Sequence, residues 1–191
     1  MNRNKVKYAS DAALMGAVTL GMQEALNEVL DRYMPIVSRT SYRILCDRDD
    51  SGEVTRNVFL KIWRSASDFD GRYSLLVWIY RITCGQCYHR LLRRKVLSIF
   101  STPPSVFETS APQAASPEED FITKESWEIY CRASRYLSPK QRMVFTLCDL
   151  EGLDIEDVGS VIEMSLDNIK SNLHIARETI VQELQRYGKV R

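Results

Sequence analysis

Apolar residues recur at three-to-four-residue spacing along most of the chain, and no strand-like alternation of any length is present. Helix start and stop signals punctuate this pattern most clearly near the C-terminus. Ser138-Pro139 and Asp154 are suited to begin helices, and Glu151-Gly152 is suited to end one, because glycine tolerates the left-handed cap geometry. The pattern predicts an all-α protein, with helix, turn, helix, turn and long helix over residues 137–184.

The last of these predicted helices begins after Ser165 and is apolar on one side and polar on the other. A short helix, a tight turn and a long half-polar helix are typical of a helix-turn-helix DNA-binding motif. The predicted buried stripe of the long helix is Leu166, Ile169, Leu173, Ala176, Ile180 and Leu184.

The first half of the chain predicts a second group of helices. Residues 12–45 favour two helices broken near Met34-Pro35, and Asp50 or Ser51 is suited to cap the next helix. Ser74 then caps a long helix over residues 75–95. Residues 96–118 break the pattern and are rich in proline and serine. We therefore predict an N-terminal domain over 10–95, a linker over 96–118 and a helix-turn-helix domain over 119–188.

Charge is distributed unevenly along the chain, although the net charge is only +1. Residues 1–95 carry 16 basic and 10 acidic side chains, residues 96–118 carry two acidic ones, and residues 119–191 carry 10 basic and 13 acidic ones. Phosphate neutralisation supplies most of the affinity of a domain that binds DNA unaided. The predicted helix-turn-helix half is therefore a poor electrostatic match to its own motif.

Short motifs in both halves point to one family. They are VFLKIWR at 58–64, WIYRI at 78–82, LSPKQR at 137–142, LEGL at 150–153 and NIKSNLHIAR at 168–177. In this order they resemble the two domains of the small alternative sigma factors of bacterial RNA polymerase, the extracytoplasmic-function (ECF) group. The resemblance implies a non-catalytic subunit, without a cofactor, that binds core polymerase and promoter DNA in both duplex and melted form.

The resemblance implies that the helix after Ser51 docks on the large subunit of the polymerase. Arg56 and Asn57 stand where the family usually has a Gln-Glu pair, so those two contacts do not carry over directly. Phe59 and Trp63 are expected to belong to the core. The candidate polymerase-binding residues are Glu53, Arg56, Asn57 and Lys61.

The resemblance further implies that the loop over 67–74 and the following helix capture the melted upstream, or minus-ten, promoter element. Aromatic rings and guanidinium planes stack on unpaired bases, while basic residues follow the phosphates. Alternatively, the basic end of this helix is structural, because cations there are favourable against the helix dipole. The candidate residues are Phe69, Arg72, Tyr73, Ser74, Trp78, Tyr88, Arg90, Arg93, Arg94 and Lys95.

In the same family the last helix enters the major groove of the distal, or minus-thirty-five, element. Asn172 and Ile175 stand where the family usually has arginines, which read guanine and clamp phosphate. Direct readout should therefore be weakened. The candidate distal-element residues are Asn168, Lys170, Ser171, Asn172, His174, Ile175 and Arg177.

Two alternatives remain open at this point. A sigma factor with weak readout is an obvious candidate for recruitment by a separate DNA-targeting protein, even an RNA-guided one, since tethering raises local concentration. A stand-alone helix-turn-helix regulator would explain residues 119–191 but leave the first half without a role. An anti-sigma protein is a further partner that the family leads us to expect.

Other classes of function find little support in the sequence. No glycine-rich phosphate loop follows a strand, and the two histidines, His89 and His174, lie in no catalytic motif. The CxxC of Cys84 and Cys87 lacks further metal ligands, so we favour packing over a zinc or redox site. No apolar run is long enough to span a membrane, and no signal peptide is evident. We expect a cytoplasmic protein whose five cysteines are reduced.

Overall fold

The structure is a computed structural model that describes residues 8–100 and 124–189 of the chain, with side chains for 8–97 and 126–186. Helices account for the regular structure, and no strand occurs among the described residues, so the all-α prediction is confirmed. The helices are α1 Asp11–Thr19, α2 Gln23–Leu45, α3 Arg48–Arg64, α4 Leu75–Phe100, α5 Lys124–Ala133, α6 Pro139–Phe145, α7 Ile155–Ile162 and α8 Leu166–Lys189.

The first break in the chain lies earlier than predicted. Helix α1 ends before Gly21, which adopts a positive φ of 76°. The predicted break near Met34-Pro35 is wrong, because Pro35 lies inside the continuous helix α2. Proline removes one helical hydrogen bond, to the carbonyl of Asp31. Both residues lie on the exposed side of α2, where water solvates that carbonyl, and this explains why the helix continues.

The N-cap of helix α3 lies three residues before Asp50, the first of the two predicted caps. Asp47 is the N-cap, and its carboxylate accepts a hydrogen bond of 2.9 Å from the backbone N–H of Asp50. Asp50 and Ser51, the predicted caps, lie within the helix and are buried. The carboxylate of Asp50 is thereby available for a contact with α4, described below.

Helix α4 begins as predicted but ends later. The hydroxyl of Ser74 accepts a hydrogen bond of 3.3 Å from the N–H of Val77, and the helix runs on to Phe100. The prediction that the linker starts at residue 96 is therefore wrong, since residues 96–100 contain no proline or glycine to stop the helix. Residues 101–118 of the predicted linker, and residues 119–123 at the start of the predicted helix-turn-helix domain, lie outside the described residues.

The predicted helix-turn-helix is present in the second half. A capping box joins Ser138 and Gln141 at the start of α6, with hydrogen bonds of 3.2 and 2.8 Å. The predicted cap at Asp154 begins α7, with a bond of 2.7 Å to the N–H of Asp157. Glu163, at a φ of 53°, ends α7 and makes the tight turn into α8.

One feature between α6 and α7 has no sequence signal. Residues Thr146–Leu150 form a π-turn, closed by a hydrogen bond of 2.9 Å from the N–H of Glu151 to the carbonyl of Thr146. A π-turn accommodates one extra residue, and such turns are frequent at functional sites. Here the turn rotates Glu151 toward the first half of the chain.

The two halves pack together around a shared core. Helix α7 lies against α4, and α6 contacts α4 in the same region. One buried cluster extends from the N-terminal helices into the helix-turn-helix, where it includes Leu147, Val158 and Ile169. The sequence predicted two domains joined by a linker but gave no signal for this closed arrangement.

Candidate nucleic-acid interface

Glu151 lies at the centre of the contact between the two halves. Its side chain is fully buried, and its carboxylate accepts hydrogen bonds from Arg39 at 2.8 Å, Arg43 at 3.1 Å and the hydroxyl of Tyr80 at 3.3 Å. Burial, together with this carboxylate, raises the pKa of Tyr80. Arg43 also donates to the carbonyl of Leu150 at 2.7 Å. A buried carboxylate is tolerated only when it is paired in this way.

Aromatic side chains extend this interface along α2. The indole N–H of Trp127 donates to the hydroxyl of Tyr42 at 3.0 Å, and the two rings stack with centroids 5.1 Å apart. The hydroxyl of Tyr130 donates to the carbonyl of Arg43 at 2.9 Å. Polar groups that would otherwise be buried without partners are therefore satisfied across the interface.

The loop before α4 brings together several of the predicted upstream-element residues. Phe69 packs edge-on against Trp78 with centroids 5.7 Å apart, and Tyr73 is exposed. Arg72 is also exposed and pairs with Asp70 at 2.9 Å. The guanidinium of Arg81 lies over the ring of Tyr73 at 5.8 Å. This arrangement presents a ring and two guanidinium groups at the surface, which suits stacking on an unpaired base.

Arg81 was not among the predicted site residues, although the WIYRI motif contains it. It forms an ion pair with Glu163 in the turn between α7 and α8. The helix-turn-helix therefore meets the first half beside the Tyr73 loop. The sequence could not reveal this contact, because the two residues lie 82 positions apart.

The basic end of α4 is partly engaged within the fold. Arg90 pairs with Asp50 and, at 3.0 Å, with Glu53, and Arg94 pairs with Asp50 and, at 3.1 Å, with Asp47. Burial alone would raise the pKa of Asp50, but the hydrogen bonds and charges of the two arginines outweigh it and lower that pKa. These contacts favour the structural alternative for Arg90 and Arg94.

The remaining predicted residues on α4 differ in exposure. Arg93 and Lys95 are exposed, whereas Tyr88 is half-buried beside the ring of His89 at 6.2 Å. The exposed pair therefore stays a candidate for phosphate contacts.

The candidate polymerase-binding residues lie on one side of α3. Arg56, Asn57 and Lys61 are exposed, whereas Glu53 is half-buried and pairs with Arg90. Phe59 is buried as expected, but the expectation for Trp63 is wrong, since its side chain is 53% exposed. The α3 position of Trp63 lies just beyond the apolar stripe, so the ring stays at the surface and adds apolar area to this face.

The recognition helix α8 buries Ile169, Leu173 and Ala176 as predicted, but Leu166 and Leu184 are exposed. Asn172 is half-buried, and its amide donates to the carbonyl of Asn168 at 2.7 Å. The other predicted distal-element residues are exposed, and these are Asn168, Lys170, Ser171, His174, Ile175 and Arg177.

Acidic side chains lie beside two of the basic residues on α8. Arg177 forms a bidentate ion pair with Asp149 of the π-turn, at 2.6 and 2.8 Å. Nε2 of His174 lies 3.4 Å from the carboxylate of Glu178. The exposed face of α8 is therefore close to neutral, in agreement with the charge distribution along the sequence.

The CxxC cysteines lie in the core of the first half. Cys84 and Cys87 are both buried in α4, and burial raises the pKa of Cys87 to about 12 and that of Cys84 well above its usual range. Neither is a reactive thiolate. Within residues 8–97 and 126–186, no group of three or more potential ligands is placed to hold a metal ion. No helix in the described ranges is long and apolar enough to cross a membrane.

Comparison with known proteins decides the family. The model of Sigma-70 region 2 matches residues 29–96, and the model of Sigma-70, region 4 matches residues 132–180. The chain belongs to the sigma-70 family. The ECF RNA polymerase sigma-E factors of Escherichia coli (strain K12) and Haemophilus influenzae are both 26% identical to this sigma factor over 182 residues. Those alignments cover 92% of this chain and 95% and 96% of the two relatives.

Solved structures agree with this assignment. The fold is similar to CnrH in complex with the cytosolic domain of CnrY, with a TM-score of 0.66, 16% identity and coverage of 92% of this chain and 97% of that one. It is also similar to the sigma factor RpoE in complex with the anti-sigma factor NepR from Bartonella quintana, with a TM-score of 0.66, 19% identity and coverage of 83% and 96%. The predicted ECF sigma fold is confirmed. These comparisons do not support the two alternatives, the stand-alone regulator and the recruited factor.

Proposed function

We propose that this ECF sigma factor binds core RNA polymerase and directs promoter-specific initiation as a non-catalytic subunit in the cytoplasm. The observation that supports this most strongly is the presence of sigma regions 2 and 4 on one chain. Because CnrH and RpoE are each held by a partner in their solved structures, an anti-sigma protein belongs to the proposal as well.

The first DNA-binding surface in this proposal is the loop and start of α4. Tyr73 and Arg72 are exposed, and Phe69 and Trp78 form the apolar base of the loop. Stacking of one base on an aromatic ring contributes about 1–3 kcal/mol. Arg93 and Lys95 are exposed and extend this surface along the strand. The role of this surface is to capture an unstacked base of the upstream element.

The second surface is the exposed side of α8, which reads the distal element as duplex. Lys170 and Ser171 supply polar contacts, and Ile175 suits a thymine methyl group. Because Arg177 already pairs with Asp149, few cations remain to release counterions from the DNA. We therefore expect a shallow dependence of distal-element binding on salt.

Promoter binding requires the closed arrangement to open. The positions minus ten and minus thirty-five are about 25 base pairs apart, which is about 85 Å along the duplex at 3.4 Å per step. A compact chain of 191 residues has a radius of gyration of about 16 Å. One closed molecule therefore cannot span both elements. In this proposal α3 contacts the polymerase through Arg56, Asn57, Lys61 and the exposed Trp63. This contact lets the separated halves bind the two promoter elements.

The experiment is a comparison of variants in reconstituted holoenzyme. Tyr73→Ala should abolish permanganate-reactive thymines at the upstream element while leaving core binding unchanged, because the ring acts on melted DNA. Tyr136→Ala is the matched control, since Tyr136 is a similarly exposed tyrosine in the second domain. Equal melting by both variants would contradict the assignment of Tyr73, and failure of the unaltered chain to bind core polymerase would contradict the proposed function.

A further inference from the structure

A thiol from each half of the chain reaches the interface between the halves. Cys46 is the residue after α2 and adopts a left-handed conformation, with φ 50° and ψ 36°. This conformation, fixed by a 2.8 Å hydrogen bond from its N–H to the carbonyl of Tyr42, points the side chain toward the second half. Its sulfur lies 3.4 Å from the hydroxyl of Ser134, and Ser134 donates to the carbonyl of Cys131 at 2.9 Å.

Cys131 is the residue that faces Cys46 across this contact. It is 5% exposed, and it belongs to the buried cluster of the second half against which Cys46 packs. The two thiols are close enough for each to shift the pKa of the other. The remaining cysteines do not share this arrangement, since Cys84 and Cys87 lie together inside one helix of the first half.

The two thiols differ in acidity. The Cys131 thiol and the charge of Arg142 lower the pKa of Cys46 against the effect of burial. The interaction with Cys46, together with burial, raises the pKa of Cys131. A more acidic thiol beside a less acidic one is the usual pairing of a peroxide-reactive cysteine with its resolving partner.

We propose that Cys46 and Cys131 form a reversible disulfide that holds the two sigma domains in the closed arrangement, with a peroxide as the oxidant. The Cys46 sulfur loses its proton and attacks one peroxide oxygen, the O–O bond breaks, and the departing hydroxide takes that proton to become water. The Cys131 sulfur then attacks the Cys46 sulfenic acid, whose hydroxyl leaves as a second water with the Cys131 proton. Two thiols lose two electrons to one peroxide, and a dithiol reverses the reaction by exchange.

The disulfide would act on domain separation. It joins the two halves covalently, so they cannot separate at this interface until the bond is reduced. Because the promoter elements lie too far apart for a closed chain, the oxidised protein should not initiate transcription. The loss of initiation rests on the proposed function, whereas formation of the disulfide does not.

The test uses the full chain, reduced, treated with hydrogen peroxide, quenched with catalase and only then mixed with core polymerase. Peptide mapping should find Cys46 joined to Cys131, and initiation should fall by at least about tenfold and return after treatment with a dithiol. Cys46→Ser and Cys131→Ala should each retain their initiation after peroxide. Cys148→Ser, the matched control at another half-buried cysteine, should behave like the unaltered chain.

Two outcomes would overturn the proposal. One is the absence of a Cys46–Cys131 peptide after oxidation, and the other is an equal loss of initiation in the unaltered chain and in Cys46→Ser. Use of two variants guards against a folding defect in either, and initiation by each reduced variant verifies that it is folded. If the reduced unaltered chain initiates nothing, the proposed function fails, and the peptide map still decides whether the thiol pair forms.

Discussion

Removal of the Glu151 carboxylate should weaken the contact between the two sigma domains. Glu151→Ala leaves Arg39 and Arg43 facing each other at the interface and removes the acceptor for the Tyr80 hydroxyl. The expected effect is separation of the domains at lower denaturant concentration.

The magnitude follows from the exposure of the partners. Breaking a buried ion pair by removing one member costs about 3–5 kcal/mol. The side chain of Arg43 is 14% exposed and stays desolvated, whereas that of Arg39 is 38% exposed and regains water. We therefore expect about 3 kcal/mol, which shifts the closed-to-open equilibrium about a hundredfold.

Single-molecule FRET in a urea titration measures this shift. Dyes at the exposed positions Ser67 and Val181 report the separation of the halves. Glu163→Gln is the matched control, because it removes an equal charge from an arginine pair at the same interface, but one whose carboxylate is 75% exposed. Exposed pairs contribute about 0–1 kcal/mol. Equal midpoints for Glu151→Ala and Glu163→Gln would refute the reasoning.

Three further predictions concern readout, pH and packing. Asp149→Asn should free Arg177 for phosphate, and equilibrium titrations on distal-element DNA should show a log–log salt slope steeper by about 0.9; an unchanged slope would argue against the pairing. Asp50→Asn should lower the free energy of unfolding at pH 7 by about 2 kcal/mol, between exposed and buried pairs. Because the pKa of Asp50 is depressed in the folded protein, this difference in the free energy of unfolding should shrink as the pH falls below about 3.9 and vanish below the folded pKa. A difference that does not change with pH would contradict the pairing of Asp50 with the two arginines. Gly159→Ala should destabilise by about 1–3 kcal/mol, since its Cβ would lie 3.2 Å from the carbonyl of Met164. The control is Gly85→Ala, at a helical position with open space around the added Cβ. It should stabilise the protein against thermal unfolding by about 0.5–1 kcal/mol.

Local signals explain why much of the fold could be predicted. The caps at Ser138 and Asp154 and the left-handed Gly152 each act within a few residues, so the sequence carries them directly. Periodicity likewise identifies Ile169 and Leu173 as buried. The misplaced break at Pro35 has a physical reason as well, since an exposed proline loses only a bond that water replaces.

The contacts that hold the halves together had no such signal. Glu151 appeared in the sequence only as part of a helix end, because its arginine partners lie more than 100 positions away. The sequence likewise could not show that Asp50 lies beside Arg90 and Arg94 in the fold. Pairing between distant positions depends on how helices pack, and helix periodicity does not encode it.

The most direct test of the sigma assignment is in vitro transcription from fragmented genomic DNA, with purified core polymerase in the presence and absence of this chain. We predict mapped start sites that depend on the chain and share an upstream and a distal element at fixed spacing. Start sites without a shared two-part motif, or initiation that does not depend on the chain, would contradict the account.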